Sequence, residues 1–289
     1  MLDLMIPPIV AALVILSVHA YLGLHVIARE VIFVDLAFAQ IAAMGTTVGL
    51  LFGIEVGSPL SLLGAFAFTL VGALLFSFTR LEDSPVPQEA MIGITYVVAS
   101  AAVILIAGYT AEGAEHIKET LTGTLIWVSW PTIGKMAGAY FAVAVFHWVF
   151  RRQLLAVTFA PERVRRLRLW DFLFYVSFGV AISFSVEVAG VLMVFSTLVI
   201  PAVVAFLYTD RLGTALLLAW VAGAVAIVGG IAASFAWDVA TGPLLVCAFG
   251  VLLVAAFGVR PLLGVRTGRK VRVALLEEDP APAEEPTPA

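Results

Sequence analysis

The 289-residue chain is 62% hydrophobic and only 12% charged, which excludes a water-soluble domain of this size. Its net charge of -4 comes largely from Glu277, Glu278, Asp279, Glu284 and Glu285 near the end of the chain, so it points to no nucleic-acid partner. The single cysteine, Cys247, excludes a disulfide framework or a thiolate cluster within one chain, and its apolar surroundings place it in the core.

A hydrocarbon core of about 30 Å is crossed by about 20 apolar residues of helix. Helices satisfy their own backbone hydrogen bonds there, and no segment shows the alternation of a barrel strand. The expected fold class is therefore all-α, a polytopic transmembrane helical bundle of about 8–9 spans. The apolar stretches lie near 5–27, 31–54, 58–79, 88–108, 131–150, 171–187, 188–208, 212–236 and 239–258. The first follows no basic residue, Arg29 being the earliest, so it reads as a retained span and not a cleaved signal. The stretch from 188 carries Gly190 and Pro201 and reads either as a full span or as a broken, re-entrant element, which lowers the count to eight. Residues 1–260 then form the transmembrane domain. Residues 261–289 form a cytoplasmic tail whose Pro-, Ala- and Glu-rich end has the composition of disorder.

Of the 16 Lys and Arg residues, only Lys118 and Lys135 fall opposite to the connections that hold Arg29, Arg80, Arg151 to Arg168, Arg211 and Arg260 to Arg272. The positive-inside rule puts the basic connections in the cytoplasm, the amino terminus outside and the carboxyl terminus inside. Two connections exceed a turn. Tyr109 to Trp130, outside, contains a polar run from Glu112 to Glu119 and then Leu121, Leu125, Ile126 and Trp127, the pattern of an amphipathic cap. Arg151 to Asp171, inside, has Pro161-Glu162 opening a helical turn in which Val164, Leu167 and Leu169 alternate with Arg163, Arg165, Arg166 and Arg168. Composition leaves two readings of it: a patch for anionic membrane lipid, or a docking helix for a soluble partner.

An ionisable group inside a membrane costs roughly 2.5–3.5 kcal/mol at mid-depth, so each needs a reason. Glu187 and Asp238 fall at outer breaks, as solvated turn residues or as carboxylates that concentrate a dication at the outer mouth. Glu112, Glu115 and His116 form a second outer cluster, either a solvated face or a metal-ligating set in which Glu115 and His116 are the ligands. His25 and His147 fall at the inner boundary, where anchoring in the interface is expected. His19 lies deeper and is the histidine that could line a path. Gly45-x-x-x-Gly49 and Gly223 to Gly230 allow close helix approach, within the chain or between two chains. No phosphate-binding loop is present: Gly134-Lys135 is followed by Met136, so the chain is not an ATP-hydrolysing enzyme.

Four stretches carry a family likeness: QIAAMGTTVG from Gln40, AMIGITY from Ala90, LTGTLIWVS from Leu121 and GVLMVFSTLVIPAVVA from Gly190. With them the sequence resembles the zinc, manganese and iron permeases of ABC importers over nearly the whole chain to about Phe257. The resemblance implies a vitamin-B12-importer-like (type II) ABC permease fold in the bacterial cytoplasmic (inner) membrane. It also implies separate ABC ATPase subunits that bind the ATP, a second permease chain, and a periplasmic or lipoprotein metal-binding protein. The metal ion is then the transported substrate, and the chain itself carries no cofactor. The family places its coupling helix in the Arg-rich connection, about 153–169, which favours docking and points to Pro161, Glu162, Arg163, Val164, Arg165, Arg166 and Leu167 as the ATPase contact. Gln40, Glu187, Pro201 and Asp238 are the expected path residues. Gln40 departs from the family: many zinc and manganese permeases have His there, and a carboxamide is a poor ligand for such ions. Two other readings compete. Trp127, Trp130 and Trp237 at the outer mouth suit a siderophore-iron or corrinoid cargo in the same fold. An ion-coupled secondary carrier or channel would show inverted repeats and deep carboxylates, and no repeat is detected.

Overall fold

Proline, glycine and arginine punctuate the apolar stretches, and the computed structural model turns each stretch into a helix. It describes residues 2–55, 57–80, 86–109, 118, 120–264, 271 and 273–277. The elements in order are α1 (Leu2–Ala28), α2 (Val34–Leu51), α3 (Pro59–Thr79), α4 (Gln88–Ala107), α5 (Trp130–Val149), α6 (Arg151–Phe159), α7 (Leu167–Tyr208), α8 (Leu212–Trp237), α9 (Thr241–Val259) and a single turn α10 (Ala274–Glu277). Two helices start on the same device, a serine hydroxyl that accepts from the third amide beyond it and a proline in the first turn. These are Ser58 with Pro59 for α3 and Ser129 with Pro131 for α5.

A straight helix of 42 residues, the length of α7, would run about 63 Å, twice the thickness of a hydrocarbon core. It is broken at Gly190, whose φ of 73° and ψ of 159° are open only to glycine. Contacts with α1 fix the direction on each side of the break. Asp171 meets Arg29 and Ser185 meets His19, yet Leu198 and Ala202 pack on Gly23, back toward the Arg29 end. The segment from 188 is therefore a full return leg, antiparallel to the first. Among the described residues seven helices are long and apolar enough to cross a membrane, or eight when α5 and α6 count as one bent pair. Dividing α7 at Gly190 adds one more leg.

The two legs of α7 form the hub of the bundle, packing on α1, α2, α3, α8 and α9. Phe38 of α2, Phe76 of α3 and Tyr175 and Phe178 of α7 form an aromatic knot in the core. Gly45 lies against the backbone of Gly64, Gly223 against Leu16 and Gly230 against Leu245, so these small residues make close helix contacts within the chain. On α9 the buried stripe is Thr241, Leu245, Phe249 and Ala256. Cys247 lies on the opposite face and is exposed, which corrects the core placement. An apolar span offers both its faces to apolar surroundings, so hydropathy does not say which face is inside.

The Arg-rich connection is not one continuous helix over the expected 153–169. Its helix is α6, bent 80° from α5. Pro161 disfavours the helical conformation at the residue before it, so α6 ends at Phe159 and Ala160 leaves the helix at φ -150° and ψ 59°. Pro161–Arg163 makes one 3-10 turn, Arg166 adopts a left-handed conformation (φ 74°), and Leu167 already opens α7. Of the tail, Val273 is buried and α10 packs on α6, with Arg163 donating to the Leu276 carbonyl at 3.0 Å.

Candidate functional site

The polar groups of the bundle collect at its two ends. At the end that holds Arg29, Arg80 and Asp171, called here the basic end, a buried network ties six helices together. Asp171, 1% exposed, accepts from Arg29 at 2.9 Å and from Arg80 at 3.1 Å. Arg29 also donates through Nε to Thr158 Oγ1 at 2.8 Å, and its guanidinium lies 3.8 Å over the Phe174 ring. Arg80 donates to the Val157 carbonyl at 2.9 Å. His25 Nδ1 meets Thr158 Oγ1 at 2.7 Å, and His147 bridges Ser177 and Tyr21 at 2.8 and 3.3 Å. Gln88 of α4 reaches the Tyr175 hydroxyl at 3.1 Å. Burial pulls the Arg29 pKa below the usual guanidinium value, while Tyr175 and Asp171 oppose the pull.

This network corrects the placement of two histidines. His25 is 0% and His147 5% exposed, so both are core groups held by hydroxyls and not interfacial anchors. His19, also fully buried, bonds the Ile15 carbonyl and Ser185 and lines neither of the cavities described below. Thr158 and Val157 lie at the end of α6, a few residues before Pro161. The segment from Pro161 to Leu167 therefore hangs directly on the network. Its Glu162, Arg163, Arg165 and Arg166 are exposed, while Pro161, Val164 and Leu167 are half-buried.

At the opposite end lies a cavity of about 310 Å³ between α2, α3, the first leg of α7 and the segment before α5. Its polar lining consists of hydroxyls from Thr46, Ser61, Thr120, Thr124 and Ser183, with Glu187 as its carboxylate. Ser61 Oγ is buried without a hydrogen-bond partner, and Lys135 of α5 is within electrostatic reach of Glu187. The roof is a crossing of two glycines. Gly123 (φ 70°) and Gly190 stack so closely that a Cβ on either would run into the other's backbone, and Thr124 N donates to the Val188 carbonyl at 3.1 Å.

Of the expected path residues, the structure places Glu187 in this cavity. Gln40 is buried on α2 one turn below Ala43, which lines the cavity, and Gln40 itself does not. Pro201 is buried in the return leg of α7, away from the lining. Asp238 is an exposed, left-handed cap of α8 (φ 52°) outside the lining. Glu112, Glu115 and His116 lie outside the described residues. Among the described residues no three His, Cys, Asp or Glu side chains converge on a point. One carboxylate among hydroxyls is a weak, hard donor set, suited to an ion in passage and not to a resident metal.

Sequence reasoning missed the carboxylate that matters most to the architecture, Asp171, together with Asp35. Asp35 is 1% exposed in the first turn of α2, with both carboxylate oxygens lacking a hydrogen-bond partner and Glu89 of α4 as a neighbouring charge. The available signal was position: each carboxylate falls just inside a span, beside a basic turn, where a boundary residue and a buried one look alike.

A multi-pass helical bundle with a hydroxyl-lined cavity at one end and a basic, network-braced segment at the other is built as a membrane permease. Its sequence matches the ABC 3 transport family over residues 1–260, and the chain belongs to that family. It is 25% identical over 268 residues to the manganese transport system membrane protein MntC of Halalkalibacterium halodurans, covering 89% of this chain and 87% of that one. It is 26% identical over 205 residues to the chelated iron transport system membrane protein YfeD of Yersinia pestis, covering 68% and 67%. Among solved structures, PsaBC from Streptococcus pneumoniae in complex with Fab superposes with a TM-score of 0.72 at 22% identity, over 87% of this chain and 90% of that one. That likeness establishes the shared fold.

Proposed function

We propose that this chain is the membrane-spanning permease of a bacterial importer for a divalent transition metal, manganese or iron before zinc, driven by ATP hydrolysis on separate ATPase subunits. The relatives named for manganese and chelated iron support the cargo class. The observation that carries the coupling is the attachment of Pro161 to Leu167 to the Arg29–Asp171–Arg80 cluster. A partner that shifts this segment pulls on α6 and, through Thr158 and Val157, on α1, α3 and α7 together. Those helices, with α2, also wall or adjoin the Glu187 cavity at the far end, so one rigid element links nucleotide-driven closure to access. The exposed Arg163, Arg165 and Arg166 face the cytoplasm in this reading, with the amino terminus outside, and a second permease chain and an external metal-binding protein complete the assembly.

The test is metal-stimulated ATP hydrolysis by the chain co-purified with its ATPase and reconstituted in liposomes with the loaded binding protein. Changing Arg163, Arg165 and Arg166 to Glu is expected to abolish ATPase binding and stimulated hydrolysis while the permease still elutes as a folded species. Metal uptake by the chain alone, unaffected by the reversal, would overturn the reading and leave an independent carrier or channel.

A further inference from the structure

A second and larger cavity, about 780 Å³, opens on the flank of the bundle between α1, α5, α6 and α8 at the basic end. Its walls are apolar, with Val18, Val143, Leu155, Leu212 and Leu216 among them, and Val273 of the tail closes part of its rim. Three features distinguish it from an ordinary groove between spans. Two arginines, Arg151 and Arg211, stand at its mouth, both exposed, and among the described residues neither meets a carboxylate within ion-pair distance. Two tryptophans, Trp148 and Trp220, flank it. Trp148 is 70% exposed with the Arg151 guanidinium 4.8 Å over its ring, and Trp220 is pinned by its indole N–H to the Ser17 carbonyl at 3.0 Å. The Tyr21 and His147 side chains give the inner wall a polar step at the same level.

We infer that this groove is a seat for one anionic glycerophospholipid from the leaflet at the basic end, its acyl chain along the apolar wall and its phosphate between Arg151 and Arg211. Charge complementarity selects this occupant. Unpaired arginines beside a membrane-facing apolar wall attract an anionic headgroup, while indoles are the side chains that settle at the headgroup level. A second copy of the chain is the competing occupant, which the cross-linking arm of the test below separates from lipid. The volume lies within the range of pockets that enclose small ligands, wide enough for an acyl chain. The site also adjoins the tail turn that Arg163 holds, so lipid in the groove would pack against the strap joining the tail to the Pro161–Leu167 segment.

Native mass spectrometry of the full-length detergent-purified chain, with added phosphatidylglycerol or phosphatidylcholine, tests the assignment. One phosphatidylglycerol per chain should be retained in preference to phosphatidylcholine and should raise the melting temperature more. Arg151→Gln with Arg211→Gln should lower that preference about thirtyfold, taking each arginine near the surface as worth about a factor of five. Arg165→Gln with Arg168→Gln, charges removed elsewhere at the same end, should leave it intact. Leu216→Trp, which fills the groove and keeps both arginines, should lose retention of both lipids, and it carries the test if the double arginine variant does not fold. Equal retention of the two lipids by the unaltered chain, or a phosphatidylglycerol preference that survives in the Arg151/Arg211 variant, overturns the site. So does efficient disulfide formation between two chains through Ala144→Cys in a Cys247→Ser background, which would make the groove a chain–chain interface.

Discussion

The two ends of the bundle solve opposite problems. At the basic end the side chains are cross-linked to one another: Asp171 holds two arginines, Thr158 holds a histidine and an arginine, and Gln88 holds a tyrosine, with His25 Nε2 and Arg29 Nη2 left over. At the opposite end hydroxyls and the Glu187 carboxylate line a cavity; Thr46 and Ser183 donate to the Ala43 and Gly179 carbonyls of their own helices, and Ser61 Oγ is buried without a hydrogen-bond partner. A cross-linked buried network is stiff, because moving one member strands the others, whereas hydroxyl and carboxylate oxygens that line a cavity can be offered to a passing ion. Stiffness lies next to the segment proposed to receive a mechanical input, and the oxygen-lined cavity lies where a cargo would enter.

The sharpest way to break this contrast is Asp171→Ala. It leaves Arg29, which is 3% exposed, and Arg80, which is 22% exposed, without their carboxylate. Stranding a buried charge costs about 3–5 kcal/mol, so a large fall in folded yield and melting temperature is expected. Arg80→Ala keeps the Arg29–Asp171 pair and should cost much less. Equal losses in the two variants would show that Asp171 does not organise the cluster. Next in size is Gly190→Ala. A side chain there is strained by about 1–3 kcal/mol at φ 73° and also meets the Gly123 backbone, so the return leg of α7 should lose its register and the melting temperature should drop. Thr158→Val strands Arg29 Nε and His25 Nδ1 at about 1–3 kcal/mol, and Thr158→Ser should restore most of the loss. If Thr158→Val also uncouples ATP hydrolysis from transport while Thr158→Ser does not, the network transmits force as well as holding the fold.

The spans were legible because lipid imposes one rule on every crossing segment, a length of apolar helix, and the basic connections marked a common end. The break at Gly190 was legible as a glycine and a proline in one apolar run, although the direction of the second leg emerges only from the packing of Leu198 and Ala202 on Gly23. Neither the network nor the face of Cys247 was legible. Arg29, Arg80, Thr158 and Asp171 are far apart in sequence, and each alone looks like a residue at the water boundary. Cys247 lies in a helix where lipid and core are equally apolar. The α5–α6 bend escaped for a related reason: the amphipathic pattern after Pro161 drew attention from Arg151–Phe159, whose buried Leu154, Leu155, Val157 and Thr158 form the inward face of the connection.

The smallest expected effect on stability belongs to Glu187→Gln, and it bears on the other half of the contrast. Glu187 makes no hydrogen bond to another side chain among those found in the bundle, and the substitution preserves its size, so stability should change by less than about 0.5 kcal/mol. Its carboxylate is nevertheless the charge that the cavity offers a dication among neutral hydroxyls. If the cavity is the entry, transport in the reconstituted assembly should fall at low metal concentration and recover as the metal is raised, the signature of weakened capture rather than impaired turnover. Ser61→Ala, removing an unpartnered hydroxyl, should act in the same direction and more weakly. A Glu187→Gln protein with unaltered concentration dependence would move the path away from this cavity, while the stiff basic end would stand unchanged.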